Sequence, residues 1–298
     1  MEGAYVTTIG HGPTTNRRRL RIRLRELRLD RRLSLEDVRQ EMDWSLSKIT
    51  RIENGSVSIA VNDLRALLDF YEVRDVEQVR DLLGLARLAR RRHWAAEFHK
   101  YISSPYMDFL GYEDDSRRIN QYHPFLIPGL LQTEQYARLV VTAGPQYRDD
   151  SEAAGARVRL RLARQDRVFA PTRRRDVRIV LDERALKSVE SPQVMLDQVD
   201  AIVSRLPQLD LVVLKQDTAA NSALVGPFSL HEFNSTDDPD VVYLDNQPDD
   251  VALVEDDLLV AGYKSAFDDL YRQAASGDDA GHILDTIART LRRRLSAG

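Results

Sequence analysis

The chain has 298 residues, 43% hydrophobic and 30% charged, which is enough apolar material for two domain cores in a soluble globular protein. It has no cysteine, which excludes disulfides and thiolate metal sites and suits a reducing cytoplasm, the expected location. The net charge of −4 conceals a division, because residues 1–100 hold 20 Lys/Arg against 15 Asp/Glu and residues 101–298 hold 23 against 32. A basic end on an acidic body is what a polyanion-binding head with a non-binding body shows, and ordinary variation of surface charge produces it as well. No apolar run approaches the roughly 18 residues of a spanning helix, so no membrane partner is expected.

The first sixteen residues, MEGAYVTTIGHGPTTN, lack the basic start and apolar core of a signal peptide, and residues 1–16 are expected to be a disordered leader. From about Arg17 to Arg31, Leu20, Leu24 and Leu27 recur at helical spacing and predict a first helix with one buried stripe. Arg17, Arg18 and Arg19 stand just before it; they are candidates to reach phosphates or a minor groove, and equally a solvated basic run. Ser34 followed by Leu35-Glu36-Asp37 is a helix start, and the second helix runs to Met42 with Leu35, Val38 and Met42 inward.

The stretch EMDWSLSKITRIENG, residues 41–55, then breaks and restarts. Asp43 sits where the chain must turn sharply, and Asp is one of the few non-glycine residues that tolerate a left-handed backbone. Ser45 is a good N-cap for a third helix, which Leu46 and Trp44 can staple, with Ile49 and Ile52 inward. Ser47, Lys48, Thr50 and Arg51 are left outward. Two short helices across a tight turn form a helix-turn-helix whose second helix can enter a major groove, with hydroxyls and cations placed for base edges and phosphates.

LSLEDVRQEMDWSLSKITRIENG (33–55), followed by VNDLRALLDFYEV (61–73), resembles the helix-turn-helix of Xre-type, lambda-repressor-like regulators. The spacing of Ser45, Ile49, Glu53 and Gly55 is its most specific part. The resemblance implies a compact bundle of four or five helices over residues 17–82 and double-stranded DNA as partner. It implies DNA contacts from Ser47, Lys48, Thr50 and Arg51, with Ser45 capping the helix and near a phosphate. Asp43 stands where that family usually has glycine. Leu35 stands where its second helix often begins with a DNA-contacting glutamine, so that contact does not carry over.

Helix-compatible sequence continues from Val76, predicting a helical linker over residues 83–100, and the pattern breaks near Ser103-Ser104-Pro105. In residues 101–298, Pro128-Gly129 reads as a turn and Thr133 opens a helix carrying Tyr136, Leu139 and Val140; a long helix follows over about 151–169. Four apolar runs (177–183, 209–215, 228–233 and 241–245) read as strands, with helices at 191–206, 256–274 and 280–295. The expected fold is therefore an all-α head followed by a mixed α+β domain with a sheet of about four to five strands flanked by helices.

IPGLLQTEQYA, RLARQ (161–165), VLDERAL (180–186) and FDDLYRQAAS resemble the C-terminal region of an actinobacterial group of Xre-type regulators, sometimes described as antitoxin-like. That resemblance implies a small protein partner encoded by an adjacent gene, either as an effector or as a protein held in check by this one. A homodimer is expected, since one headpiece makes few phosphate contacts.

No catalytic constellation emerges, and the chain is expected not to be an enzyme. Asp182 and Glu183 could do acid/base work but stand where acids commonly charge a helix start. The histidines at 11, 93, 99, 123, 231 and 282 have no metal-ligand spacing, and no cofactor is expected. Arg161, Arg164 and Gln165 share one helix and could bind an anion, although such residues commonly pair with acids of their own domain. Residues 230–285 hold 15 acids against Lys264 and Arg272, a surface that aids solubility or receives a basic partner.

Overall fold

The computed structural model describes residues 11–144, 147, 150–173, 175–216, 218, 226–247 and 250–297. The chain divides into two compact units between Ala96 and Glu97, a head and a body. No helix among the described residues is long and apolar enough to cross a membrane.

Among its described residues the head forms five α-helices: α1 (Pro13–Asp30), α2 (Leu35–Met42), α3 (Leu46–Glu53), α4 (Val61–Phe70) and α5 (Val76–Ala89). Proline in the first turn of α1 fits its fixed φ and missing N–H. That start lies inside the expected leader, so residues 13–16 are helical, and residues 1–10 are outside the described set. Ser34 and Asp37 form a reciprocal capping box on α2. Leu20, Leu24, Val38, Ile49, Ile52, Leu64, Leu67 and Leu68 interlock as one core, each fully buried side chain contributing about 2 kcal/mol. The expected linker helix is corrected: α5 stops at Ala89, and only a short turn of helix, Ala96–Phe98, follows before residue 100.

The body begins with α6 (Ser104–Asp115), whose Ser103 cap and early Pro105 make the Ser-Ser-Pro stretch a helix start. There follow β1 (Arg118–His123), α7 (Glu134–Ala143), α8 (Ser151–Val168), β2 (Asp176–Asp182), α9 (Pro192–Arg205), β3 (Asp210–Leu214), β4 (Phe228–Glu232), β5 (Val241–Gln247), β6 (Asp250–Val254), α10 (Asp257–Gln273) and α11 (Gly277–Ala297). Among the described residues six strands form one sheet in the order β3-β2-β1-β4-β5-β6, two more than the four runs read from the sequence. β1, β2 and β3 are parallel, whereas β4, β5 and β6 form an antiparallel meander joined to β1 through β4.

Alternation along the strands gives the sheet two apolar faces. Ile119, Ile179, Leu181 and Val213 face one core with Val199 of α9 and Leu284 of α11. Tyr122, Val180, Val212, Phe228 and Val242 face the other, under Val260, Phe267 and Leu270 of α10. The added central strand, β1, is polar: Asn120 donates to Glu232 and Gln121 to Ser229, both at 2.8 Å across the β1–β4 pair.

The Pro-Gly-Leu-Leu-Gln-Thr run, 128–133, is fixed residue by residue. Leu130 and Leu131 enter the core. Gln132 donates to the Ile127 carbonyl at 2.8 Å, Gln165 donates to the Gly129 and Gln132 carbonyls, and Gln198 donates to the Leu131 carbonyl at 2.6 Å. Thr133 caps α7. A side chain at Gly129 would begin 3.0 Å from Nη1 of Arg164, tighter than ordinary contact, so that guanidinium would have to give way. Of the apolar residues of α7, Tyr136 is buried and Leu139 is 43% exposed.

His231 of β4 is completely buried edge-on to Phe109 and Tyr243, and its ring nitrogens have no protein partner among the described residues. Burial pushes the imidazole down to about 3, with the charges of Arg164 and Arg175 acting in the same direction. Because the folded-state value lies below the unfolded one, this contribution is complete above about pH 6.5 and is lost as the pH falls towards 3. Between pH 7 and pH 5 the body is expected to lose about 2 kcal/mol of stability at this residue. Urea unfolding followed by tyrosine circular dichroism at both pH values checks it, with H231F showing the smaller decline.

Candidate nucleic-acid interface

The α2–α3 corner follows from three short-range features. Asp43 occupies the left-handed region, φ 51° and ψ 43°, and so reverses the chain directly after α2. The Trp44 amide donates back to the Arg39 carbonyl at 3.2 Å. Ser45 accepts from the Lys48 amide at 3.2 Å and starts α3. Trp44 packs against the core, and Leu46, the other residue expected to staple the turn, is 46% exposed.

Once Ile49 and Ile52 are buried, helical rotation decides the rest of α3. Ser47, Thr50 and Arg51 are all exposed and form one stripe at i, i+3, i+4. The Arg51 guanidinium has no ion-pair or hydrogen-bond partner among the described residues. Lys48 lies to one side: its ammonium is 2.9 Å from Asp63 of α4 and 3.8 Å from the centre of the Trp44 ring. Both members of that ion pair keep about 40% of their exposure, and such a pair contributes about 0–1 kcal/mol. Lys48 can therefore leave Asp63 for a phosphate at small cost.

The Arg17–Arg19 triplet is not a flexible arm. It lies in the first turns of α1, and rotation of the helix turns Arg18 inward to 3% exposure, which removes it from any phosphate-contacting set. Arg17 and Arg19 are half-buried, Arg19 being 3.2 Å from the His11 imidazole.

The motif that marks the helix-turn-helix proves to be its scaffold. Ser45 caps, Ile49 fills the core, and Gly55 takes φ 80° at the end of α3, where a side chain would meet Arg21 Cδ at 2.9 Å. Glu53 receives two hydrogen bonds from Arg28 of α1, at 2.6 and 2.9 Å, and Arg28 also donates to the Leu33 carbonyl at 2.7 Å. Both side chains of the pair are close to buried. That fork pins the C-terminal end of α3 to α1 and leaves its outer stripe free. The roles of Arg28 and Asp63 were missed from the sequence, because partners 25 and 15 residues away leave no periodic trace.

Residues 19–82 match the family model described as a helix-turn-helix domain. No curated protein and no solved structure matches the chain. Residues 106–286, more than half of the chain and within the body, match the model described as "Domain of unknown function (DUF5753)". The protein carries a helix-turn-helix domain in its head, and by the reach of the second match it belongs to the DUF5753 family.

Proposed function

We propose that the protein is a sequence-specific DNA-binding transcription regulator that places α3 in the major groove. The observation that carries this reading is the outer stripe of α3: two hydroxyls and an unpartnered guanidinium, all exposed, on a helix whose other side is locked to α1 and the core. Arg51 suits a guanine edge, Ser47 and Thr50 suit base edges or phosphates, and Lys48 suits the backbone. Ser45 has a cap to maintain and stands at the N-terminal end of the helix, where a phosphate is favoured. Arg17 and Arg19 remain as backbone contacts; Arg18 does not.

The same reading takes the protein as a cytoplasmic homodimer on a near-palindromic site, because two heads double the phosphate contacts and fix the spacing of half-sites. The body would supply dimerisation and the surface for a small protein or an effector.

Genomic fragments retained by the purified protein supply the binding site, and R51A is titrated against the best of them. Its affinity is expected to fall about 10- to 100-fold, equivalent to about 1–3 kcal/mol. K48A is expected to weaken all sequences alike and to lower the salt slope by about 1. Unchanged affinity in R51A, or no fragment retained by the native protein, rejects the reading.

A further inference from the structure

On the face of the sheet that also carries Ile119 and His231, the body holds a half-open cavity of about 430 Å³. Its floor is the hydrogen-bonded pair Gln121–Ser229 with Tyr243 and Asp245. The ends of β1 and β5 and the start of β4 meet there, so the cavity lies where the parallel half of the sheet gives way to the antiparallel half. The strand order also reverses between β1 and β4, and open α/β sheets offer a crevice to ligands outside the carboxyl ends of strands at such a point. Tyr106 and Phe109 of α6 form an aromatic wall, the Pro128-Gly129 turn forms another side, and the exposed Phe125 stands at the rim.

Two arginines of α8 reach this cavity with different charge balances. Arg164 is neutralised: Glu113 accepts from its Nε and Nη2 at 2.6 and 2.5 Å, with both side chains buried. Among the described residues Arg161 has no carboxylate in direct contact, and the charge of Asp245 reaches it only at longer range. Its one hydrogen bond goes to the Gln132 side-chain oxygen at 2.7 Å, and among the described residues no carboxylate lies within 4.0 Å of it. Burial pulls its guanidinium down from the usual arginine range, an environment that disfavours the charge and rewards a counter-ion. Asp245 lines the same cavity at the end of β5, where burial among protein atoms raises its carboxyl against the opposing pull of the Arg161 and Arg164 charges. The Gln132 side chain that orients Arg161 is itself held by the Ile127 carbonyl, so the 128–133 run supplies the floor beneath the guanidinium.

We propose that this cavity binds a small organic anion with one negative charge and an aromatic or otherwise apolar body, the anionic group pairing with Arg161 and the body lying against Tyr106, Phe109 and Tyr243. The volume falls within the range of small-molecule sites, as does the mixture of aromatic walls with a few fixed polar groups. Asp245 sets the limit of one charge, because a second anionic group would face its carboxylate across a site of low dielectric. The site is independent of the head, so it stands or falls apart from DNA binding.

Three naphthalene probes of similar shape test it by fluorescence titration of the full chain. The monoanion anilinonaphthalenesulfonate is expected to bind once per chain and at least tenfold more tightly than the neutral phenylnaphthylamine or the dianionic anilinonaphthalenedisulfonate. R161M is expected to erase the preference for the monoanion while leaving phenylnaphthylamine affinity within twofold, a check that the cavity is intact. R161K keeps the charge and is expected to retain part of the preference, which decides the matter if R161M fails to fold. D245N is expected to narrow the gap between monoanion and dianion. Equal binding of monoanion and neutral probe, no saturable binding of either, or a monoanion preference that survives R161M overturns the proposal.

Discussion

R28M is expected to lower the stability of the head by about 3–5 kcal/mol, a large share of the 5–15 kcal/mol available to a domain. The substitution keeps much of the buried stem of Arg28 and removes three donors at once, leaving the Glu53 carboxylate and the Leu33 carbonyl without their partner. Removing one side of a near-buried ion pair is costly because the remaining charge cannot regain its water. R28K is expected to recover little, since an ammonium cannot reproduce the planar two-pronged contact. The double variant R28M/E53M, with neither charge present, is expected to be more stable than R28M alone. Both tryptophans, Trp44 and Trp94, belong to the head, so urea unfolding followed by tryptophan fluorescence reads this unit alone. A midpoint in R28M equal to that of the native chain would show that the fork contributes nothing to holding α3.

R164M is expected to have the corresponding effect in the body, again about 3–5 kcal/mol. Glu113 keeps 2% of its side-chain exposure and would lose both bonds to Arg164, which tie α6 to α8. The damage should spread to the 128–133 run, because the same guanidinium fills the space that Gly129 leaves open. E113Q leaves Arg164 the unpaired member and should also destabilise the body. Tyrosine circular dichroism should report an earlier transition in both variants, while the tryptophan transition of the head stays where it is. A shift of the head alone would contradict this assignment.

These two ion pairs mark where sequence reading stops. The α2–α3 corner could be read because each of its signals is local: Ser34 with Asp37, Asp43 at the turn and Ser45 at the next cap all act within four residues. The partner of Glu53 lies 25 residues upstream and that of Arg164 lies 51 residues upstream, and neither spacing carries a period. Arg161 and Arg164 sit one turn apart on the same helix, and only the position of Glu113 decides which of them is neutralised. The four apolar runs were legible as strands. β1 was not, since Asn120, Gln121 and His123 break the alternation and are accommodated by β4 and the adjoining loop. β6 has only the four apolar residues Val251–Val254 between acids on both sides, and so did not stand out from the acidic stretch. The start of α1 at Pro13 was hidden by Thr14, Thr15 and Asn16, polar residues that read as leader and are buried.

The polar central strand also orders events as the chain is made. The head is complete by Ala89 and is all helical, a class that folds fast, although its α1–α5 pairing closes only when the last helix has formed. β1 emerges soon afterwards, but its parallel neighbour begins at Asp176, and the groups that satisfy Asn120 and Gln121 arrive only with Ser229 and Glu232. For more than a hundred residues of synthesis the middle of the future sheet has too little apolar surface to hold itself and must stay in water. The head is thus a finished domain while the body is still an unfolded tail, and the body closes late, around the last of its strands.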